Sequence, residues 1–163
     1  MDQLDPLGDQ SAYEATLDIE PMDPEKRDMW ADALESGEFT QGRDALARID
    51  KRGKATYCCL GVLCELAVRA GVIPAGTRRI EQGPELSYRL KYGEGEAELT
   101  LPHEVVVWAG LNMASPRVSI VDDEAAKRII HSELRNPRSV PLETLNDNHH
   151  PFSSIAKMIR TSL

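Results

Sequence analysis

Residues 57–70 read YCCLGVLCELAVRA, a run that is apolar around most of its circumference, closes at Gly71 and meets Pro74. That pattern predicts a buried helix. At about 100° per residue, Cys59, Leu60, Leu63, Leu66, Ala67 and Ala70 share the apolar face, while Cys58, Gly61, Glu65 and Arg69 fall on the opposite stripe. A helix of this kind needs cover on several sides, so the amphipathic segments around it are read as its partners.

Upstream, Asp23-Pro24 gives a cap followed by a first-turn proline, and Met29, Trp30, Ala33 and Leu34 recur at helical spacing up to Ser36-Gly37, predicting a helix over 24–36. Between the two helices lies the most basic stretch of the chain, with Arg43, Arg48, Lys51, Arg52 and Lys54 against Asp44 and Asp50. Downstream, LSYRLKY and EAELTL flank Gly93-Glu94-Gly95 and predict a β-hairpin with strands at 86–92 and 96–101. LPHEVVVWAGL is bracketed by Pro102 and Gly110 as a short helix. Asp122, Asp123 and Glu124 open another, whose Ala126, Ile129, Ile130 and Leu134 line one face before Asn136-Pro137. PLETLNDNHH reads as a loop, and Pro151 starts a last helix that docks by Phe152, Ile155, Ala156, Ile159 and Leu163, leaving Ser153, Lys157 and Arg160 wet. The expected fold is α+β and mainly helical: a single domain packed around the cysteine-bearing helix, with one β-hairpin.

A chain of 163 residues with 41% hydrophobic content has material for one core. Residues 1–23 carry −7 of the net charge of −8, with no Lys or Arg, so the remainder is nearly neutral. Residues 1–22 are therefore expected to form an acidic, disordered tail and 23–163 the globular domain. No apolar run approaches membrane-spanning length, and the first residues lack the basic start and apolar core of a secretion signal, so a cytoplasmic location is expected. Three cysteines within seven residues do not make a disulfide framework and are read as reduced thiols.

QGRDAL, YCCLGVLCELAV, LPHEVVVWAGL and LETLNDNHHPFSSIAKMI together resemble a group of small accessory proteins of tailed bacteriophages, over about residues 29–163. His149-His150 stand where such proteins more usually have a Gly-containing turn. The resemblance implies a bacterial cytoplasm during infection, where small accessory proteins inhibit, sequester or redirect host factors, including nucleotide signals of host defence.

The residues offer several chemistries. Phosphate binding draws on Gln41, Gly42, Arg43, Arg48, Lys51 and Arg52, because glycine lets the backbone approach an anion and arginines grip phosphate oxygens bidentately. Tyr57, Cys58, Asn146 and Asp147 would complete a concave site against the polar stripe of the helix. The bland reading makes the cations a solvated loop and Asn146 and Asp147 a turn or cap.

Cys58 at a helix N-terminus, where amide dipoles lower a thiol pKa, resembles the nucleophile of papain-like cell-wall peptidases, with His103 as base. In that motif, however, an aspartate precedes the cysteine and a serine follows; here Tyr57 precedes it and Leu60 replaces the serine. The cysteine spacing does not suit zinc, and no cofactor is expected. LETLND followed by FSSIAKMIR loosely suggests a helix-turn-helix, but few exposed side chains remain to read bases, which argues against DNA. The expected function is non-enzymatic binding of a small phosphorylated ligand, with two alternatives: capture of a host protein through the acidic tail, and a Cys58 thiol hydrolase. Oligomeric state is not legible in the sequence.

Overall fold

A computed structural model describes residues 21–130 and 139–163. The first helix, α1 (Pro24–Glu35), starts where Asp23 Oδ1 accepts the amides of Glu25 (2.8 Å) and Lys26 (3.4 Å), with Pro24 in the first turn. It buries Trp30, Ala31 and Leu34, and the Trp30 indole N–H donates to the Cys59 carbonyl at 2.9 Å. Met22, expected in the tail, is 2% exposed and belongs to the core, and the next amide, Asp23, donates to Ala109 O at 3.0 Å. The rest of the expected tail, residues 1–20, lies outside the described residues.

The basic stretch is not a loop. Its residues form β1 (Ala47–Ile49) and β2 (Ala55–Tyr57), an antiparallel pair whose tight turn is closed by Asp50 accepting the Arg52 and Lys54 amides. β2 leads directly into α2 (Cys59–Arg69). Every α2 residue from Cys59 to Cys64 is buried, Gly61 included, so the expected polar stripe narrows to Glu65 and Arg69. Gly61 is packed against backbone: a Cβ there would stand 1.8 Å from Leu46 O.

The predicted hairpin is rebuilt. Its first strand is present as β4 (Ser87–Lys91), but the partner is β3 (Thr77–Glu81), and a four-stranded antiparallel sheet results in the order β2-β1-β4-β3. The turn at Gly93–Gly95 forms, with Tyr92 and Ala97 exchanging both amides at 2.9 Å. Beyond it the chain leaves the ladder, because Glu98 O is taken by the Leu46 amide at 2.7 Å and Leu101 turns into the core. β3 was missed because it is an edge strand of exposed, mostly polar residues, Thr-Arg-Arg-Ile-Glu, and carries no apolar alternation.

α3 (His103–Ala109) ends at Gly110 in the left-handed conformation, as its bracket predicts. β5 (Arg117–Ser119) pairs with β6 (Ser139–Pro141), setting Val118 opposite Val140, both buried. Between them, Asp123 caps α4 (Glu124–Ile130) through the Ala126 amide at 2.8 Å. The expected end of that helix, at Asn136-Pro137, and Leu134 lie outside the described residues. The expected loop at 141–150 holds a further helix, α5 (Leu142–Asp147), which buries Leu142, Leu145 and Asn146. The last helix, α6 (Phe152–Ser162), buries Phe152, Ile155, Ala156, Met158 and Ile159 and packs on α1. Arg160 is not simply wet: it pairs with Asp32 at 2.6 Å and with Glu35. The fold is thus α+β, with two sheets where one hairpin was expected. No helix of the described residues is long and apolar enough to cross a membrane.

Candidate functional site

The residues singled out in the sequence divide into three places. The first is a polar clasp. Residues 40–46 run beside β2 and the start of α2, held by Gly42 N to Tyr57 O (2.7 Å), Tyr57 N to Thr40 O (2.9 Å) and Cys58 N to Leu46 O (3.1 Å). Gly42 tolerates no side chain, since a Cβ would stand 2.6 Å from Thr56 Oγ1. From the far end of the chain, Asn146, 0% exposed, accepts the Cys59 amide through Oδ1 (3.1 Å) and donates from Nδ2 to Gly42 O (2.7 Å). Gln41 donates to Asn146 Oδ1 (3.0 Å) and His150 O (2.8 Å), and accepts the Phe152 amide at the start of α6 (3.2 Å). Asp147 Oδ1 accepts the Asp44 amide at 2.9 Å.

Gln41, Gly42, Asn146 and Asp147, read from sequence as ligand contacts, are therefore largely engaged within the protein. The physical reason lies at the N-terminus of α2. Cys58 makes no side-chain cap there, and the orphan amide of Cys59 is buried, so it needs an acceptor from elsewhere in the chain. Tyr57 packs edge-on against Phe39, ring centroids 5.3 Å apart, and Arg69 covers the other ring at 5.1 Å.

The second place is a cleft of about 300 Å³ lined by Asp44, Ala45, Cys58, Leu99, Thr100, Glu143 and Asp147. A concavity between the 41–54 segment and the start of α2 was expected, but as a phosphate site, and the charged side chains that line it, Asp44, Glu143 and Asp147, are acidic. Cys58 is 2% exposed. Burial pushes its thiol up to about 12; the amides of Gly61 and Leu60 pull the other way, and the nearby Asp147 and Glu143 add to the rise. The helix N-terminus was expected to lower this pKa, and desolvation outweighs it. At neutral pH Cys58 is a protonated thiol, the wrong state for a nucleophile. His103 is exposed at the start of α3, and among the described residues no hydrogen bond joins it to Cys58. Among the described residues, too, no three His, Cys, Asp or Glu side chains converge as a metal ion would require.

The third place is the solvent face of the four-stranded sheet. Alternation along the strands turns Ala47 and Leu90 into the core and leaves Arg48 and Arg89 on the opposite face. The register sets Arg48 opposite Arg89, and Arg89 opposite Arg79, so three guanidinium side chains share one cross-strand row. Glu81 accepts from Arg48 Nε at 3.1 Å and pairs with Arg89 at 3.2 Å; Glu98 pairs with Arg79 at 2.5 Å. Burial alone would raise the Glu81 carboxyl, but Arg48 and the neighbouring donors hold it below the usual range. Arg48 also donates to Arg43 O at 2.7 Å, which brings Arg43, whose Nη1 lies 2.9 Å from His149 Nδ1, to the margin of the row. Lys51 and Arg52 stand apart at the β1–β2 turn, with Lys51 paired to Glu85 at 2.7 Å. Arg79 and Arg89 escaped the sequence reading. The signal that could have found Arg89 was the period-2 alternation of SYRLK set beside that of LARI, whereas Arg79 lies on β3, which carries none.

No curated protein matches the chain, and no solved structure matches it. The model of the family DUF8296, a domain of unknown function, matches residues 22–163, beginning at Met22, the first of the described residues that the core buries. The chain belongs to the DUF8296 family.

Proposed function

We propose that this protein is a non-enzymatic binding protein whose ligand is anionic and carries phosphate, and that it docks on the arginine row of the four-stranded sheet rather than in the cleft beside α2. The observation that supports this reading is the register Arg48–Arg89–Arg79. Like charges directly opposite one another destabilise a sheet, and three in a row, served by the two carboxylates of Glu81 and Glu98, leave an excess of positive charge facing solvent. Guanidinium groups offer phosphate oxygens bidentate donors. In this reading the domain is mainly helical around α2, whose cysteines are scaffold and not reagents. The setting is the one that its motifs' resemblance implies, a bacterial cytoplasm during phage infection, with a nucleotide signal of host defence as the natural ligand class. The alternative of host-protein capture through the acidic tail rests on residues 1–22, of which 1–20 lie outside the described residues.

Native mass spectrometry of the full chain with a panel of nucleotides and cyclic nucleotides tests the proposal. A bound nucleotide mass that disappears in Arg48→Gln and Arg79→Gln, with both variants keeping the wild-type circular dichroism spectrum, is the expected result. A bare polypeptide mass with every member of the panel, or binding unchanged in both variants, overturns it.

A further inference from the structure

The four-stranded sheet is covered along one edge and open along the other. Beside β2 the chain itself supplies the cover, with Gly42 N donating to Tyr57 O at 2.7 Å and Tyr57 N to Thr40 O at 2.9 Å. Beside β3 there is none: among the described residues, no backbone hydrogen bond reaches Thr77–Glu81 other than those of its ladder with β4. Both faces of the sheet carry a distinctive side-chain pattern up to this edge. On the face that holds the core, Ile49, Tyr88 and Ile80 form one cross-strand row, which stops in the open at Ile80, 62% exposed, with Leu86, 52% exposed, diagonal to it. On the opposite face the edge presents Arg79 and, two residues on, Glu81.

We infer that β3 pairs antiparallel with β3 of a second copy of this chain, about a two-fold axis through Ile80. The segment Arg79-Ile80-Glu81 is complementary to itself in that register: Ile80 meets the partner's Ile80, Arg79 faces the partner's Glu81, and Glu81 faces the partner's Arg79. The apolar row Ile49–Tyr88–Ile80 then runs on across the axis into its own copy, and Leu86 of each chain lies against it. Arg78, held over the Tyr88 ring at 5.2 Å, faces the partner's Gln82 and meets no like charge. Centring the pair on Arg79 instead sets two guanidinium groups against each other and Ile80 against Arg78, so charge selects the register. The same charges turn away an arbitrary strand, which brings no carboxylate to Arg79. An edge of five residues buries less than a permanent interface does, so the dimer is weak and forms as the concentration rises. The pairing does not depend on a ligand of the arginine row, so either proposal can fail alone.

Sedimentation equilibrium of the full chain over a rising concentration series tests the inference, beside cross-linking of two cysteine variants. The expected mass climbs from 18.1 kDa towards twice that value, and Ile80→Lys, which sets like charges on the axis, stays monomeric. The position is exposed, so that variant should keep the wild-type circular dichroism spectrum. Ile80→Cys should join to its own copy under mild oxidation at least about tenfold faster than Thr77→Cys, because position 77 lies three residues from the axis and its two copies stand about 20 Å apart. The native cysteines are buried and do not compete. A monomer at every concentration leaves the edge to a strand of some other protein and overturns the inference. A dimer that persists in Ile80→Lys, or equal cross-linking at positions 77 and 80, overturns it too.

Discussion

Asn146 caps a helix that begins 87 residues before it: its Oδ1 accepts the Cys59 amide at 3.1 Å while its Nδ2 donates to Gly42 O at 2.7 Å. One buried amide thereby joins the start of α2, the segment before β1 and the end of α5. The QGR, YCCLG and LND motifs meet at this residue, which explains their joint presence in the chain without any ligand.

Asn146→Ala leaves the Cys59 N–H, the Gly42 carbonyl and one Gln41 donor bond without partners. Each buried orphan costs about 1–3 kcal/mol, so a loss of about 3–5 kcal/mol is expected. Urea unfolding followed by tryptophan fluorescence in a Trp108→Phe background measures it, since the remaining Trp30 indole is bonded to the Cys59 carbonyl beside the capped amide. A loss below about 1 kcal/mol would show that water replaces the clasp.

Gly61→Ala should be worse than its small volume suggests. The new methyl would stand 1.8 Å from Leu46 O and 2.7 Å from Leu46 C, and both are backbone, so neither moves without disturbing the ladder to β1. A loss above about 3 kcal/mol, or failure to fold, is expected. Gly37→Ala is the control: nothing lies within 4 Å, and the φ of +80° alone costs about 1 kcal/mol. Thermal melts of the two variants side by side read the contrast.

These two residues show what a single sequence carries and what it hides. The burial of α2, the Asp23 cap, the bracketed α3 and the apolar face of α6 were legible, because each is a local period or a local punctuation mark. The partners of Asn146 were not, since they lie more than eighty residues away and a polar residue before a proline reads equally as turn, cap or ligand contact. Strand β3 was hidden for another reason: an edge strand is kept soluble by Arg78 and Arg79, and the same charges erase the alternation that would announce it. The arginine row needed β1, β4 and β3 in register, which no segment reveals alone.

Cys58, Cys59 and Cys64 all titrate above an ordinary thiol because burial disfavours the thiolate, Cys58 at about 12. Iodoacetamide at pH 8 should therefore alkylate the folded chain more than a hundredfold more slowly than the urea-unfolded chain, read by intact mass. The folded pKa values exceed the unfolded ones, so this contribution to stability is complete below about pH 8.5 and declines as the pH rises above it. Rapid single-site labelling of Cys58 in the folded state would instead revive a thiol chemistry.

Acid should weaken the fold at Asp123. Burial alone would raise this carboxyl, but the Ala126 amide at 2.8 Å and the His150 ring at 3.2 Å outweigh it and hold the pKa below the usual value. Because the folded pKa is the lower one, the contribution is present above about pH 4 and is lost as the pH falls through the folded value. Asp123→Asn should flatten the fall in unfolding free energy between about pH 4 and pH 2, measured by urea titration at each pH. An identical fall in the variant assigns the acid sensitivity to other carboxylates, Glu81 first.

Glu81→Gln separates a sheet face kept for binding from one kept for stability. The carboxylate is 17% exposed and serves Arg48, Arg89 and the Ser87 hydroxyl at 3.1–3.2 Å. The amide keeps the shape and loses the charge, so Arg48 and Arg89 face each other with their shared counter-ion gone, and stability should fall by about 1–2 kcal/mol. If the row is an anion-docking face, the same substitution should tighten binding of pyrophosphate severalfold and steepen its salt dependence, because the ligand now supplies the missing charge. The two effects run in opposite directions. Calorimetric titration with pyrophosphate beside a urea melt measures both, and a variant that loses stability without gaining affinity makes the arginine row structural.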